Sequence, residues 1–221
     1  MNPSLLDRRW LVLAATLPII ALAALMGSLL PASHLDPLII ENGPFEMTSV
    51  GLHLVVGLSA LFLWRKGYAI AGLLSLASLL MAAREVDLHK AFTTYGLFKT
   101  RLYVDASVPL IEKLLAGAAV LILLGLIVYM AWKARKDVGL LWRERRGAFF
   151  GLISLPVYLI VLKEVDGLPR MLRKAGMALS ERGTLVSRSI EEVGETFIPA
   201  LVLIVLMQVV IAARTPRRIS R

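Results

Sequence analysis

Apolar residues in this chain fall into long, nearly unbroken runs separated by short polar segments, not into the strict alternation of a half-buried strand. Runs bounded by charge extend from Trp10 to Leu30, Met47 to Trp64, Tyr68 to Ala83, Pro109 to Trp132, Gly147 to Leu162 and Thr196 to Ala213. A helix rising about 1.5 Å per residue needs about 20 residues to cross a hydrocarbon core about 30 Å thick. The third and fifth runs are short for this. Their helices are expected to continue through the tetrapeptides that follow, "REVD" (Arg84 to Asp87) and "KEVD" (Lys163 to Asp166). The expected fold class is all-α: a polytopic membrane helix bundle of about six transmembrane helices, forming one membrane domain over residues 1–221.

Composition supports a membrane protein, since 57% of the 221 residues are hydrophobic. The absence of cysteine excludes disulfides, thiolate metal ligands and Cys nucleophiles. The polar segments alternate in charge. Arg8 and Arg9, Arg65 and Lys66, the stretch Lys133 to Arg146, and Arg214, Arg217, Arg218 and Arg221 share one expected side, with only Asp7, Asp137 and Glu144 as acids. By the positive-inside rule that side is cytoplasmic, giving an N-in/C-in topology in a bacterial inner membrane. The same rule accounts for the twin arginine before the first run without a secretion signal. The net charge of +9 reads as orientation plus contact with anionic lipid, with no call for nucleic acid.

Two of the runs are alike. "GLLSLASLLMAAREVD" (Gly72 to Asp87) and "GLISLPVYLIVLKEVD" (Gly151 to Asp166) agree at eight positions without gaps. Each follows a basic pair and a glycine, and each preceding span begins near a glutamate, Glu46 or Glu112. The pattern suggests a duplicated helix hairpin, with repeat A at about 46–87 and repeat B at about 112–166, and a site where the repeats meet.

Acidic residues gather at the other, expected extracytoplasmic side: Glu41 and Glu46 entering the second span, Glu85 and Asp87 leaving the third, Glu112 entering the fourth, Glu164 and Asp166 leaving the fifth, and Glu191, Glu192 and Glu195 entering the sixth. Lys90, Lys99, Arg101 and Lys113 lie among them. Ionisable groups at membrane depth are costly and mark a functional site by default. Glu46, Ser49 and His53 follow helical spacing, which places His53 about two turns inside the second span. Glu85 and His89 share a face, as do Glu191 and Glu195, whereas Asp87 points away from Glu85. The bland alternative is a set of interfacial ion pairs, such as Arg84 with Glu85 or Lys163 with Glu164. Between the fifth and sixth runs, apolar Leu168, Met171, Leu172, Ala175 and Leu179 alternate helically with basic residues, which predicts an interfacial amphipathic helix at about 168–182. Tyr95, Phe98 and Tyr103 in "TTYGLFKTRLYVD" suggest a second interfacial piece.

The set "ENGPFE", "REVDLHK", "YGLFKTRLY", "PLIEKL" and "EEVGETF" resembles uncharacterised bacterial multi-pass membrane proteins with Glu-x-Gly-x-x-Glu, Arg-Glu-x-Asp-x-His-Lys and Glu-Glu-x-x-Glu motifs near one membrane face. The resemblance covers about residues 41 to 197 and carries no assigned activity. Through its several spans and acidic/His site the chain is also loosely similar to alkaline-ceramidase-like membrane hydrolases, but it lacks their C-terminal paired histidines.

Three function classes follow. A membrane hydrolase or transferase acting on a lipid or lipid-linked substrate would use Glu46, Glu85 or Glu195 in catalysis, with a divalent metal on His53, His89 and carboxylates activating water. No HExxH or GxSxG signature specifies the reaction. A proton- or cation-coupled transporter would use carboxylates from different helices, which share protons because close like charges do not all ionise. A non-catalytic subunit would bind a partner membrane protein through the charged face. In each, Glu41, Asp87, Lys90, Lys99, Arg101, Glu112, Lys113, Glu164, Asp166, Glu191 and Glu192 are the candidate binding residues.

Overall fold

The computed structural model describes residues 9–40, 42–144 and 146–214, the side chains of His89, Glu144 and residues 212–214 excepted. Among the described residues the chain is all-α, without strands. The helices are α1 (Leu11–Leu29), α2 (Ala32–Ile39), α3 (Pro44–Arg65), α4 (Ala69–Glu85), α5 (Leu88–Ala91), α6 (Thr100–Val104), α7 (Leu110–Glu144), α8 (Arg146–Lys174), α9 (Glu181–Thr196) and α10 (Ile198–Arg214).

Among the described residues, five stretches are long and apolar enough to cross a membrane: Leu11–Leu29, Ala32–Arg65, Leu110–Arg143, Arg146–Lys174 and Glu181–Ile211. The expected third span is α4, whose 17 residues rise about 25 Å. Much of the apolar side-chain surface, including Leu17, Leu121, Ile122 and Ile160, faces outward. Water penalises such a surface and hydrocarbon does not.

The helix ends follow local rules. Before α3, Asn42 adopts positive φ, and a Cβ on Gly43 would meet the Ile40 carbonyl oxygen at 2.5 Å. Pro44 then opens the helix, where a missing N–H costs nothing. The "ENGPFE" motif is thus, in part, a helix-entry device. At the other end of α3, Gly67 at φ 98° closes a Schellman turn, with Gly67 N–H donating to Trp64 O (2.9 Å) and Tyr68 N–H to Leu63 O (3.3 Å).

The two similar tetrapeptides end differently. α8 runs through Lys163–Asp166 as expected and on to Lys174, whereas α4 stops at Glu85. Asp87 takes the left-handed conformation (φ 51°), which an Asp tolerates better than most residues, and turns the chain into α5. The expectation that the third span continues through "REVD" is corrected accordingly.

The stretch 168–182 also differs from a single interfacial helix. Its first part forms the last turns of α8. Gly176, at φ 76°, ends that helix in another Schellman turn, with Met177 N–H donating to Leu172 O (2.9 Å) and Gly176 N–H to Arg173 O (3.1 Å). Ser180 then caps α9, its hydroxyl accepting from Gly183 N–H at 3.1 Å. A stop and a start signal inside one amphipathic pattern divide it between two helices.

The chain forms two compact units, Met1–Leu52 with Val138–Arg221, and His53–Asp137. In the first, α9 packs against α1, α2 and α8, and α10 packs against α8 and α1. Small residues allow the close approach. A Cβ on Gly27 of α1 would lie 2.6 Å from Val186 Cα of α9, and one on Gly194 of α9 would lie 3.1 Å from Tyr158 Oη of α8. In the second unit, α3 and α4 form an antiparallel hairpin. Ser75 Oγ donates to Gly57 O (2.7 Å), and Gly72 lies under the Trp64 ring. The α4 start is tied to α7 by Ile70 N–H donating to Asp137 Oδ2 at 3.2 Å.

Candidate functional site

In the first unit, α9 is the residue-level surprise. Its sequence, "ERGTLVSRSIEEVGET", is polar, yet Leu185, Ser187, Ser189, Val193, Gly194 and Thr196 are buried. Each buried hydroxyl donates to a backbone carbonyl: Ser187 to Val165 O of α8 (2.7 Å), Ser189 to Leu185 O (2.8 Å), and Thr196 to Glu192 O (2.8 Å) and Phe45 O (3.3 Å). These bonds satisfy the groups that burial would otherwise penalise. Arg182 donates to Leu30 O (2.7 Å) at the end of α1, and Arg188 pairs with Asp36 of α2 at 3.5 Å.

This packing brings the acids of α9 to those of α8. Asp166 forms an ion pair with Lys163 one turn earlier, and the Glu191 carboxyl lies beside it. Arg170 acts on Asp166 electrostatically, and Glu195 acts on both Glu191 and Tyr158. The Tyr158 hydroxyl donates to Gly194 O at 3.2 Å, holding α8 and α9 together beneath the acids. Glu192 is half-buried and Glu164 is exposed.

Glu46 lies in the same unit. Its carboxylate accepts from Asn42 N–H in the first turn of α3, where negative charge opposes the positive end of the helix dipole. The Thr196–Phe45 hydrogen bond puts the end of α9, and so Glu195, beside the turn that carries Glu46. Glu41 lies outside the described residues.

In the second unit, His53 is 1% exposed, and neither ring nitrogen has a hydrogen-bond partner among the described residues. Ser78 on α4 is buried and likewise unpartnered. Arg84 acts electrostatically on His53 and lies 3.9 Å from Glu85, whose side chain is 9% exposed. His89, expected to join His53 on a metal, has its side chain outside the described residues. No group of three His, Asp or Glu side chains among the described residues is arranged to hold a metal ion.

The remaining candidates of this unit are engaged in local structure. Asp87 pairs with Lys90 at 2.7 Å. Glu112 accepts from Thr94 N–H (2.6 Å) and from the Thr94 hydroxyl (3.1 Å). Arg101 pairs with Asp105 at 3.4 Å and stacks on the Tyr95 ring, 4.5 Å from its centroid. Lys99 is exposed and Lys113 half-buried.

Asp105, which no motif singled out, organises the segment between α5 and α7. It accepts from Ser107 N–H (2.9 Å), the Ser107 hydroxyl (2.7 Å) and the Tyr95 hydroxyl (2.8 Å). These bonds, the Ser107 amide first, hold its carboxyl well below the usual carboxylate range. Tyr103 donates to Leu97 O (2.8 Å), and Leu102 is buried with Val108 and Ala116. The segment is therefore a built cap, with Phe98 left exposed.

These features define a multi-pass, membrane-type helical protein with a buried histidine, His53, in one of its units. The chain matches no protein-family model, no curated protein and no solved structure at a significant level.

Proposed function

We propose that this chain is an integral protein of the bacterial inner membrane that binds and exchanges protons or a small cation at the α8–α9 carboxyl cluster. Both termini are cytoplasmic in this reading and the cluster faces the periplasm, following the basic segments on the opposite side. The observation that carries the proposal is the packing of α9 on α8, which sets Glu191 and Glu195 beside Asp166 and its ion-pair partner Lys163. Carboxylates brought this close do not all ionise together, so they can take up a proton and exchange it for a cation. Glu195 supplies a further carboxylate within electrostatic range.

The lipid-directed, metal-dependent hydrolase or transferase is the less supported reading, because the described residues offer no convergent ligand set for the metal. The partner-binding subunit has no specific observation in its favour.

The test is flux in proteoliposomes loaded with a pH-sensitive dye, under imposed gradients of H⁺, Na⁺ or K⁺. Wild-type protein is expected to dissipate at least one gradient. Glu191→Gln and Asp166→Asn are expected to slow it by about tenfold or more, in line with the large effect of removing one of two coupled carboxyls, while Glu181→Gln, at the exposed start of α9, leaves it unchanged. Wild-type flux equal to that of empty liposomes for all three ions would overturn the proposal.

A further inference from the structure

Two apolar cavities lie side by side in the second unit. One, of about 500 Å³, is lined by Leu80, Met81, Leu97 and Leu123, with Arg84 as its charged wall. The other, of about 460 Å³, is lined by Phe92, Leu97, Ile111 and Leu115, with Glu112, held by Thr94, as its charged wall. Leu88 and Leu97 line both, so they form a shared partition. Each cavity has the size of an ordinary small-ligand site.

Their polarity is graded. Arg84 sits in the last turn of α4, and Leu80 is one turn, or about 6 Å, deeper along the same helix. Leu123 lies well inside α7, a candidate membrane span. A molecule filling the larger cavity therefore meets a cation at its mouth and only hydrocarbon below.

Between residues 84 and 113 the cations Arg84, Lys90, Lys99, Arg101 and Lys113 exceed the acids Glu85, Asp87, Asp105 and Glu112 by one charge, which favours an anion. Asp87 is paired with Lys90 and Asp105 with Arg101, whereas Arg84 stands 3.9 Å from Glu85 and presents its remaining N–H donors to the cavity. Lys99, beside the exposed Phe98 of the cavity wall, has no ion pair among the described residues. A planar guanidinium with several N–H donors suits phosphate oxygens.

We infer that this pair of cavities is a binding site for a diacyl anionic phospholipid, one acyl chain on each side of the Leu88–Leu97 partition and the phosphate at Arg84 and Lys99. The site stands independently of the carboxyl cluster, which belongs to the other unit.

The experiment is native mass spectrometry of the delipidated, detergent-purified full chain with phosphatidylglycerol or phosphatidylcholine of identical acyl chains. Wild type is expected to retain phosphatidylglycerol about tenfold more tightly, as a charge-assisted contact predicts. Arg84→Gln is expected to abolish most of that preference. Leu97→Trp, which thickens the partition into both cavities, is expected to weaken both lipids, and Ile122→Trp on the exposed face of α7 to change neither. Leu88→Trp, at a more exposed position of the partition, replaces Leu97→Trp if circular dichroism shows the latter unfolded. Equal retention of the two lipids by wild type, an undiminished preference in Arg84→Gln, or wild-type binding by a folded partition variant would each overturn the inference.

Discussion

Adding one methyl group at Gly27 is the sharpest test of how the carboxyl cluster is held. In Gly27→Ala the new Cβ meets Val186 Cα at 2.6 Å and Ser189 Oγ at 3.0 Å. Carbon atoms pack best at about 3.5–4.0 Å, and the nearer obstacle is backbone, so α1 and α9 must part locally by about 1 Å. Overpacking of this kind costs about 1–3 kcal/mol. Against it stands the gain from replacing glycine inside a helix, about 0.5–1 kcal/mol. The net expectation is a destabilisation of up to about 2 kcal/mol, from the same two magnitudes. Gly117→Ala in α7 is the control, because its Cβ meets nothing within 4 Å. There only the helix gain operates, and stability should rise by about 0.5–1 kcal/mol. Reversible unfolding in mixed micelles, followed by circular dichroism, measures both. Because α9 carries Glu191 and Glu195, Gly27→Ala should also loosen the Asp166–Glu191 contact and reduce flux. Stability of Gly27→Ala equal to or above wild type would refute the packing argument.

Other outcomes follow from single groups. Ser187→Ala should destabilise by about 0.5–1.5 kcal/mol, since it strands the Val165 carbonyl, whereas Ser78→Ala, which removes a buried hydroxyl without a partner among the described residues, should be neutral or stabilising; the opposite order in the same unfolding assay would contradict the hydrogen-bond assignment. Glu46→Gln should cost about 0.3–1 kcal/mol through the lost charge at the α3 N-terminus, read as a lower unfolding midpoint at low salt and a smaller difference at high salt. The folded-state value of Asp105 lies below the unfolded one, so its stabilisation is full above the ordinary carboxylate value of about 4 and is lost only as pH falls towards the folded value. Hydrogen exchange at the Ser107 amide should therefore be faster in Asp105→Asn than in wild type by a factor that stays constant from about pH 5 to 8; a gap that closes within that window would show the carboxylate is not held low.

How much of this was legible beforehand depends on the range of the forces involved. Long apolar runs encode membrane-type helices directly, because length and hydropathy are local properties and each backbone hydrogen bond lies within its own helix. The start of α3 was also written locally, in Asn42, Gly43, Pro44 and Glu46. The ends at Gly176 and Ser180 were written too, but the amphipathic pattern across them masked both signals.

Other features were decided only by tertiary structure. Nothing local distinguishes "REVD" from "KEVD", yet one ends a helix and the other lies inside one. The polar α9 is buried because Gly27, Gly194 and the carbonyl of Val165 give its small side chains somewhere to pack and donate. Of the candidate acids, Asp166 and Glu191 lie together because α8 and α9 pack side by side, while Asp87, Glu112 and Glu46 are taken up by nearby partners. Sequence by itself determined which segments are helical and which residues carry charge, since both depend on neighbours along the chain. Which of those charges meet was left to packing, because Coulomb and hydrogen-bond energies depend on distances between helices that no local pattern specifies.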